Sequence, residues 1–290
     1  MINVGVSAGF HDAASTTLNG KEIIFANHCE RYSQIKGDPN FDDYVLPMHY
    51  DNIAFYEKPF LKNTRRLFAG QRMKWPNKKY DYYFGHHETH AAAGYYTSPF
   101  NECNVLVVDA IGEWNTCTTW EYNRNNNNPT LTKLQATDYP HSFGLLYSAF
   151  TQRCGLKPNE EEYILMGMAA YGKPIYVQQI KDELIESMYP LKLKVNPHVG
   201  FSEFLNDADP IDLAASIQEI ANEFIVGYVS QAVIDTGITK VIYQGGVALN
   251  CVTNTKLLEV CEEVWIMPNP GDAGNSLGAA CLRYGKPVEW

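Results

Sequence analysis

His86-His87-Glu88-Thr89-His90 places three of the chain's eight histidines within five residues. The aromatic run Tyr80-Asp81-Tyr82-Tyr83-Phe84-Gly85 leads into them, and Ala91-Ala92-Ala93 follows. If Gly85 closes a strand and the alanines continue a helix, His86 and His90 stand one turn apart on one face. At that i, i+4 spacing two imidazoles can reach a single metal ion. A surface histidine cluster capping a helix would have the same spacing, so the pair needs partners elsewhere in the chain.

Those partners are sought at strand ends. Four apolar stretches read as buried strands, each running into a polar turn that contains glycine. Residues 2–6 run into Ser7-Ala8-Gly9-Phe10-His11-Asp12, and residues 104–108 into Asp109-Ala110-Ile111-Gly112-Glu113. Residues 240–243 lead to Gln244-Gly245-Gly246-Val247-Ala248-Leu249-Asn250, and residues 264–267 to the turn containing Gly271-Asp272-Ala273-Gly274. In open α/β sheets ligands bind beyond the carboxyl ends of strands, where glycine lets backbone N–H groups approach phosphate. Four such turns point to a nucleotide-sized cleft. Asp109 and Asp272 can join His86 and His90 as a two-histidine, two-carboxylate site, a donor set suited to divalent Fe, Zn or Mn. Taken singly, Asp109 could equally serve a magnesium-bound phosphate, and Asp272 could cap a helix.

The elements that must carry these turns recur in order. Residues 14–18 and 22–26 flank Asn19-Gly20, a strong hairpin signal. After the second strand and acidic turn, residues 116–122 and 130–135 flank the asparagine-rich loop tip 123–129. Strand, polar turn and hairpin therefore occur twice, which predicts a duplicated α/β fold without residue-by-residue self-similarity. We expect one α/β lobe over residues 1–100, interrupted by a polar, aromatic, irregular insertion at 31–79, and a second lobe over 101–290. The basic residues of 58–79 read as a solvated helix face or, alternatively, as a wall that attracts phosphorylated ligands. A helix is expected over 142–153, with Leu145, Leu146, Ala149 and Phe150 on one face. A longer helix is capped by Asp209, opened by Pro210 and stopped by Gly237. A last helix is expected over 277–284.

Composition sets the limits. The chain has 290 residues, 45% hydrophobic and 19% charged, ordinary for a globular protein with a sizeable core. A formal net charge of -10 argues against a nucleic-acid partner. Tyrosine, at 19 residues, exceeds phenylalanine and tryptophan and suits a half-wet cleft. Seven cysteines with no CxxC pair read as reduced thiols, several of them buried, in a cytoplasmic protein. The opening residues do not read as a signal peptide, and with no membrane-length apolar run in view a soluble protein is expected.

Several stretches together carry a family resemblance: Gly9-Phe10-His11-Asp12-Ala13-Ala14-Ser15, Glu30-Arg31-Tyr32-Ser33, His86-His87-Glu88-Thr89-His90-Ala91, Val108-Asp109-Ala110-Ile111-Gly112-Glu113, Ser142-Phe143-Gly144-Leu145-Leu146-Tyr147, residues 162–172, Gly245-Gly246-Val247-Ala248-Leu249-Asn250-Cys251 and Gly271-Asp272-Ala273-Gly274. In this order the chain resembles the N-terminal domain of O-carbamoyltransferases of the nodulation-factor and antibiotic-tailoring type (the NodU/CmcH group). The resemblance implies a duplicated actin-like ATPase (ASKHA) fold. It also implies a reaction in which carbamoyl phosphate and ATP give carbamoyl-adenylate, whose carbamoyl group passes to a hydroxyl of a small-molecule acceptor. In such families the HxxxH pair and two aspartates hold a divalent metal, here His86, His90, Asp109 and Asp272. Iron is the first expectation, with zinc or manganese as alternatives and magnesium beside the nucleotide. His11 matches the histidine regarded as general base. Gly144, Gly245, Gly246 and Asn250 match adenylate-contacting turns; Gly112 of the Asp109 turn is grouped with them, and Lys36 matches a basic residue lining the cleft. His87 is expected to point away from the ligand pair.

The chain also departs from the family pattern. Ile164 stands where the family has lysine; if that lysine touches phosphate, this chain is expected either to bind its nucleotide differently or to draw on Lys173. Cys29-Glu30-Arg31 replaces Glu-Glu-Arg, and Asp109-Ala110-Ile111-Gly112-Glu113 replaces Asp-Gly-x-Gly-Glu. The family's second, YrdC-like domain, which the resemblance implies makes the adenylate, is not expected in the few residues after the Gly271-Asp272 turn. The expected protein is therefore the transferring half of a carbamoyltransferase, either served by a separate YrdC-like subunit or working unaided. The alternative is a metal- and nucleotide-binding module without turnover that supports a partner enzyme; His11 favours the enzyme. A relationship to enzymes of tRNA threonylcarbamoyladenosine synthesis is disfavoured by the acidic balance and the Gly-Val-Ala-Leu-Asn-Cys turn. The aromatic residues of 45–85 are the expected wall of the acceptor site.

Overall fold

Two five-stranded sheets share one topology in the computed structural model, which describes residues 1–9, 11–41, 45–124, 130–201 and 203–289. The first is formed by β1 (Ile2–Ser7), β2 (Ala14–Asn19), β3 (Glu22–His28), β4 (Asn52–Phe55) and β5 (Tyr82–Tyr83), in the order β3-β2-β1-β4-β5. Helix α1 (Glu30–Ser33) follows β3, α2 (Pro59–Phe68) follows β4, and α3 (His86–Thr97) follows β5. The second sheet contains β6 (Glu102–Val108), β7 (Asn115–Asn123) and β8 (Thr130–Asp138). Helices α4 (Phe143–Arg153), α5 (Glu162–Met168) and α6 (Val177–Leu184) come next, then a small hairpin of β9 (Ile185–Met188) and β10 (Leu191–Leu193). The chain ends with α7 (Pro210–Thr236), β11 (Lys240–Gln244), α8 (Cys251–Lys256), β12 (Glu263–Trp265) and α9 (Asn275–Tyr284). The second sheet's order is β12-β11-β6-β7-β8.

In each sheet the first strand pairs antiparallel with a hairpin on one side and parallel with one later strand on the other, and that strand pairs parallel with a second. The duplicated α/β fold expected from the recurring strand, turn and hairpin is therefore present. Parallel pairing buries both faces of a strand, which is why β1 and β6 are nearly continuous runs of buried residues. Asn19-Gly20 makes the first hairpin turn, with Gly20 at φ 60°.

Two helices join the copies. α3 packs on β6 and β11, whereas α9 packs on β1, β2 and β4, and the two helices pack on each other. Their close approach depends on Gly278, where a Cβ would lie 1.9 Å from the Thr89 carbonyl oxygen. Apart from Glu88, every residue of α3 is buried, so its histidines face protein on all sides. α4 is capped by Ser142, whose Oγ accepts from Leu145 N at 3.1 Å, and the stacked rings of Phe143 and Phe224 seat it on α7. Asp209 caps α7 and Gly237 ends it at φ 72°, as expected.

Some expectations change. The 31–79 insertion is not irregular throughout: it contains β4, which pairs directly with β1, and α2. β4 is only four residues long, too short for periodicity to reveal. Nor is α2 a solvated basic face, because it buries Lys62, Asn63 and Arg65 and exposes Phe60, Leu61, Leu67 and Phe68. The strand expected at 264–267 is Glu263–Trp265. The asparagine-rich loop tip and Phe10 lie in part or wholly outside the described residues. All seven cysteines are free thiols, five of them buried. Among the described residues no helix is long and apolar enough to cross a membrane.

Candidate metal centre

His86 opens α3, and its backbone N–H donates to both carboxylate oxygens of Glu113 at 3.1 Å. A carboxylate at a helix N-terminus is favourable for both hydrogen bonding and the helix dipole. Glu113 belongs to the turn after β6, so the turn that carries Asp109 also anchors the histidine helix. Asp272 arrives from the opposite side, in a short helical turn just before α9. The backbone N–H of Gly245 donates to Pro270 O at 2.9 Å and ties this last turn to the one after β11. Gly245 has φ 98°, and a Cβ there would lie 2.1 Å from Val108 O. Only glycine allows that approach.

These elements bring His86, His90, Asp109 and Asp272 together, all buried, with one donor atom from each within 4.8 Å of the others. The two Nε2 atoms are 3.2 Å apart. His86 Nε2 lies 2.9 Å from Asp109 Oδ2 and 3.4 Å from Asp272 Oδ1. For His90 Nε2 the corresponding distances are 3.6 and 3.4 Å. A first-row ion with bonds of about 2.1 Å has tetrahedral edges of about 3.4 Å, so the donors are spaced for such an ion. Each carboxylate also uses its other oxygen. Asp109 Oδ1 accepts from Gly246 N at 3.2 Å, and Asp272 Oδ2 faces His11 Nε2 at 3.7 Å. Outer contacts of this kind orient a metal's ligands. Asn275, fully buried, stands 3.0 Å from His90 Nε2 through its Nδ2 and leaves its Oδ1 without a partner among the described residues. Donor set, spacing and this orphaned oxygen all fit a divalent ion.

The electrostatics are mutual. Burial alone would drive both imidazoles neutral, but the charges and hydrogen bonds of Asp272 and Asp109 outweigh it and raise the pKa of His86 and His90. Burial raises carboxylate pKa values as well; the same histidines overcome it and hold Asp109 and Asp272 below the usual range. His87 turns away, as expected. Its Nδ1 meets Thr118 Oγ1 at 2.9 Å, and burial and the neighbouring imidazoles depress its pKa well below normal.

His11 stands at the open side of this cluster, its side chain 40% exposed. Its Nδ1 is 2.6 Å from Asp12 Oδ2. A carboxylate only accepts, so Nδ1 carries the proton in the neutral ring and Nε2, directed at Asp272, has the lone pair. Burial opposes the charged form, but the Asp12 hydrogen bond and the charges of Asp272, Asp12 and Asp109 push the His11 pKa up to about 9. Asp12 is itself contacted by His28 Nε2 at 3.3 Å, and His28 Nδ1 is 3.3 Å from Glu30 Oε1. Asp12, His28, Glu30, Glu113 and Asn275 were not assigned roles from the sequence. The His11-Asp12 pair was a usable signal, whereas no spacing links residue 12 to residue 28.

Of the expected nucleotide contacts, four glycines converge on the end of β6. Gly112 packs against His86 and His87, Gly144 against Asp109 and Ala110, Gly245 against Val108, and Gly246 against Asp109. Asn250 instead caps α8 and exchanges hydrogen bonds with Gln218. Lys36 reaches Glu160 O at 3.3 Å and the Tyr163 ring, while its neighbour Gly37 accepts from Asp12 N.

Comparison with known proteins gives this geometry a context. Residues 51–281 match the family described as Carbamoyltransferase N-terminus. The uncharacterized protein sll1178 of Synechocystis is 30% identical, over 96% of this chain and 56% of that protein. Nodulation protein NolNO of Sinorhizobium fredii is 28% identical, over 69% of this chain and 31% of that protein. The chain thus spans about half the length of the first of these relatives. Among solved structures, the activator of 2-hydroxyisocaproyl-CoA dehydratase from Clostridium difficile, with bound ADPNP, superimposes with a TM-score of 0.56 at 14% identity, covering 98% of this chain and 95% of that one. HypF of T. kodakarensis gives the same TM-score at 14% identity, over 97% of this chain and 47% of that one. These two likenesses establish the fold. With four-fifths of its length inside the family match, the chain belongs to the carbamoyltransferase N-terminus family.

Proposed function

We propose that the chain performs the transfer step of an O-carbamoyltransferase, moving a carbamoyl group from carbamoyl-adenylate to a hydroxyl of a small-molecule acceptor. The observation that carries this reading is the placement of His11. Its Nε2 is 3.7 Å from a carboxylate oxygen of the buried two-histidine, two-aspartate cluster, and its Nδ1 is fixed by Asp12. His86, His90, Asp109 and Asp272 would hold a divalent ion, with iron preferred and zinc or manganese as alternatives. When bound, such an ion supplies charge neutralisation for the adenylate phosphate. Gly112, Gly144, Gly245, Gly246, Asn250 and Lys36 are proposed to line the nucleotide's side of the cleft.

His11 acts as general base. Nε2 takes the acceptor's hydroxyl proton as that oxygen bonds the carbamoyl carbon, and the bond from that carbon to the adenylate phosphate oxygen breaks, releasing AMP. Asp12 keeps the ring in the required tautomer, the role a carboxylate plays behind many catalytic histidines. With Asp109 and Asp272 committed to a cation, their share of the rise in the His11 pKa is removed while that of Asp12 stays, which moves the free base toward neutral pH.

The test is incubation of the chain with carbamoyl phosphate, ATP and a panel of hydroxyl compounds, with and without an added YrdC-like adenylate-forming domain. Carbamoylated product in either arm supports the proposal. Its absence in both, with metal and nucleotide bound, would favour a non-catalytic module that supports a partner enzyme.

A further inference from the structure

Helix α2 is polar on the inside. Phe60 is 68% exposed and Phe68 is 74% exposed, whereas Arg65 is only 6% exposed. Burying a guanidinium is costly unless its charge and its five N–H groups are met. Two carboxylates influence Arg65 electrostatically, Glu57 and Glu113, and both are already engaged. Lys62 Nζ binds both oxygens of Glu57 at 2.8 Å. Glu113 accepts from the backbone N–H groups of Lys58 at 2.8 Å and His86 at 3.1 Å. Arg65 Nε has no hydrogen-bond partner among the described residues, and Asn63 Nδ2 on the same helix also lacks one. The guanidinium lies over the Tyr139 ring, 5.9 Å from its centroid, which covers one face and leaves the buried Nε–H unmet among the described residues. His198 packs edge-on to Tyr139, with ring centroids 6.0 Å apart. Burial and the Arg65 charge both depress the pKa of His198, consistent with a cationic pocket that is not neutralised from within.

From this geometry we propose that Arg65, flanked by Tyr139 and His198, binds a phosphate-class oxyanion. A planar, buried fork of N–H donors is the group best matched to phosphate. Arg65 feels the charge of Glu113, the carboxylate that anchors the histidine helix, and the site shares no ligand with the metal centre. The oxyanion could be inorganic phosphate, carbamoyl phosphate or a nucleotide phosphate. The proposal does not depend on the transferase reading, because binding is measured without turnover.

Calorimetric titration of chelator-treated protein with each of the three, at constant ionic strength in chloride, tests it. Wild type should bind at least one. Arg65→Met should weaken that binding on the order of tenfold or more, the effect of losing a charged hydrogen-bonding partner. Lys74→Gln, which removes an exposed charge nearby in sequence, should leave it within about twofold. The ligand with the highest affinity identifies the source. In phosphate-free buffer Arg65→Met should fold and melt no lower than wild type, because it removes a buried charge whose neighbouring carboxylates are engaged elsewhere and whose Nε is unpaired among the described residues. Failure of wild type to bind any of the three, unchanged affinity in Arg65→Met, or a lower melting temperature for that variant would each overturn the proposal; the last would make Arg65 a structural residue.

Discussion

The turn after β1 and the turn after β6 occupy equivalent places in the two copies of the fold, yet they present different chemistry. The first sets His11 and Asp12 at a partly open edge, their side chains 40% and 33% exposed. The second sets Asp109 in the interior, 8% exposed, against two imidazoles and a backbone N–H. An accessible imidazole can exchange protons with a bound molecule and with water; a buried carboxylate held on both oxygens can ligate but cannot shuttle. The two copies share one scaffold, and under the proposed function the depth of each turn separates proton transfer from ion binding.

Breaking the first turn should have the largest effect. In the proposed reaction, His11→Ala should lower carbamoyl transfer by about 10²–10⁴-fold, while metal analysis and nucleotide titration remain as in wild type. Comparable transfer by this variant would remove the proton role from the first copy. Breaking the second turn's partners comes next. His86→Ala and His90→Ala should each lose stoichiometric metal, a change in affinity of about 100-fold or more, read by elemental analysis after gel filtration. Full occupancy in both would dissolve the contrast altogether.

A steric test separates scaffold from chemistry. Gly245→Ala places a Cβ 2.1 Å from Val108 O at φ 98° and should destabilise the fold by about 3 kcal/mol, measured by denaturant unfolding. Gly20→Ala, at φ 60° with open space around it, should cost about 1 kcal/mol. Equal costs would mean that the close approach at Gly245 does not organise the site.

The smallest effect is one of pH. The folded His11 pKa is raised from 6.5 to about 9, so its stabilising contribution is complete below 6.5 and is lost as pH rises through 9. His86 and His90, also raised, act with the same sign. Metal-free protein should therefore melt a few degrees lower at pH 9 than at pH 6.5. With metal added the trend should weaken or reverse, because ligation favours the deprotonated rings. A melting temperature of the metal-free chain that climbs over this range would contradict the charge arrangement at both turns.

The residues of the cluster were legible because each follows a local rule. An HxxxH pair on an alanine-rich helix and an acidic residue at the end of an apolar strand are patterns of sequence neighbours, as are the Asn19-Gly20 hairpin and the Asp209 cap. What escaped notice depends on contacts between distant residues. β4 is recognisable as a strand only beside β1. From sequence alone α2 looks inside out, because its polar residues pass for solvated ones until Glu57, Glu113 and Tyr139 stand behind them. Asp12 adopts φ 55°, a conformation few non-glycine residues take, and that turn allows its carboxylate to meet both His11 and His28. No periodicity encodes a single left-handed residue.

The crossing of α3 and α9 has a consequence for folding. Ligands from α3, from the turn after β6 and from the turn before α9 meet only when each helix has settled on its sheet and Gly278 has admitted one against the other. An ion bound there would act as a clasp between segments that are remote along the polypeptide. It would close a long loop and favour the native chain by mass action. Occupancy of the clasp would then report that both halves have assembled, and a half-folded chain would remain without its ion.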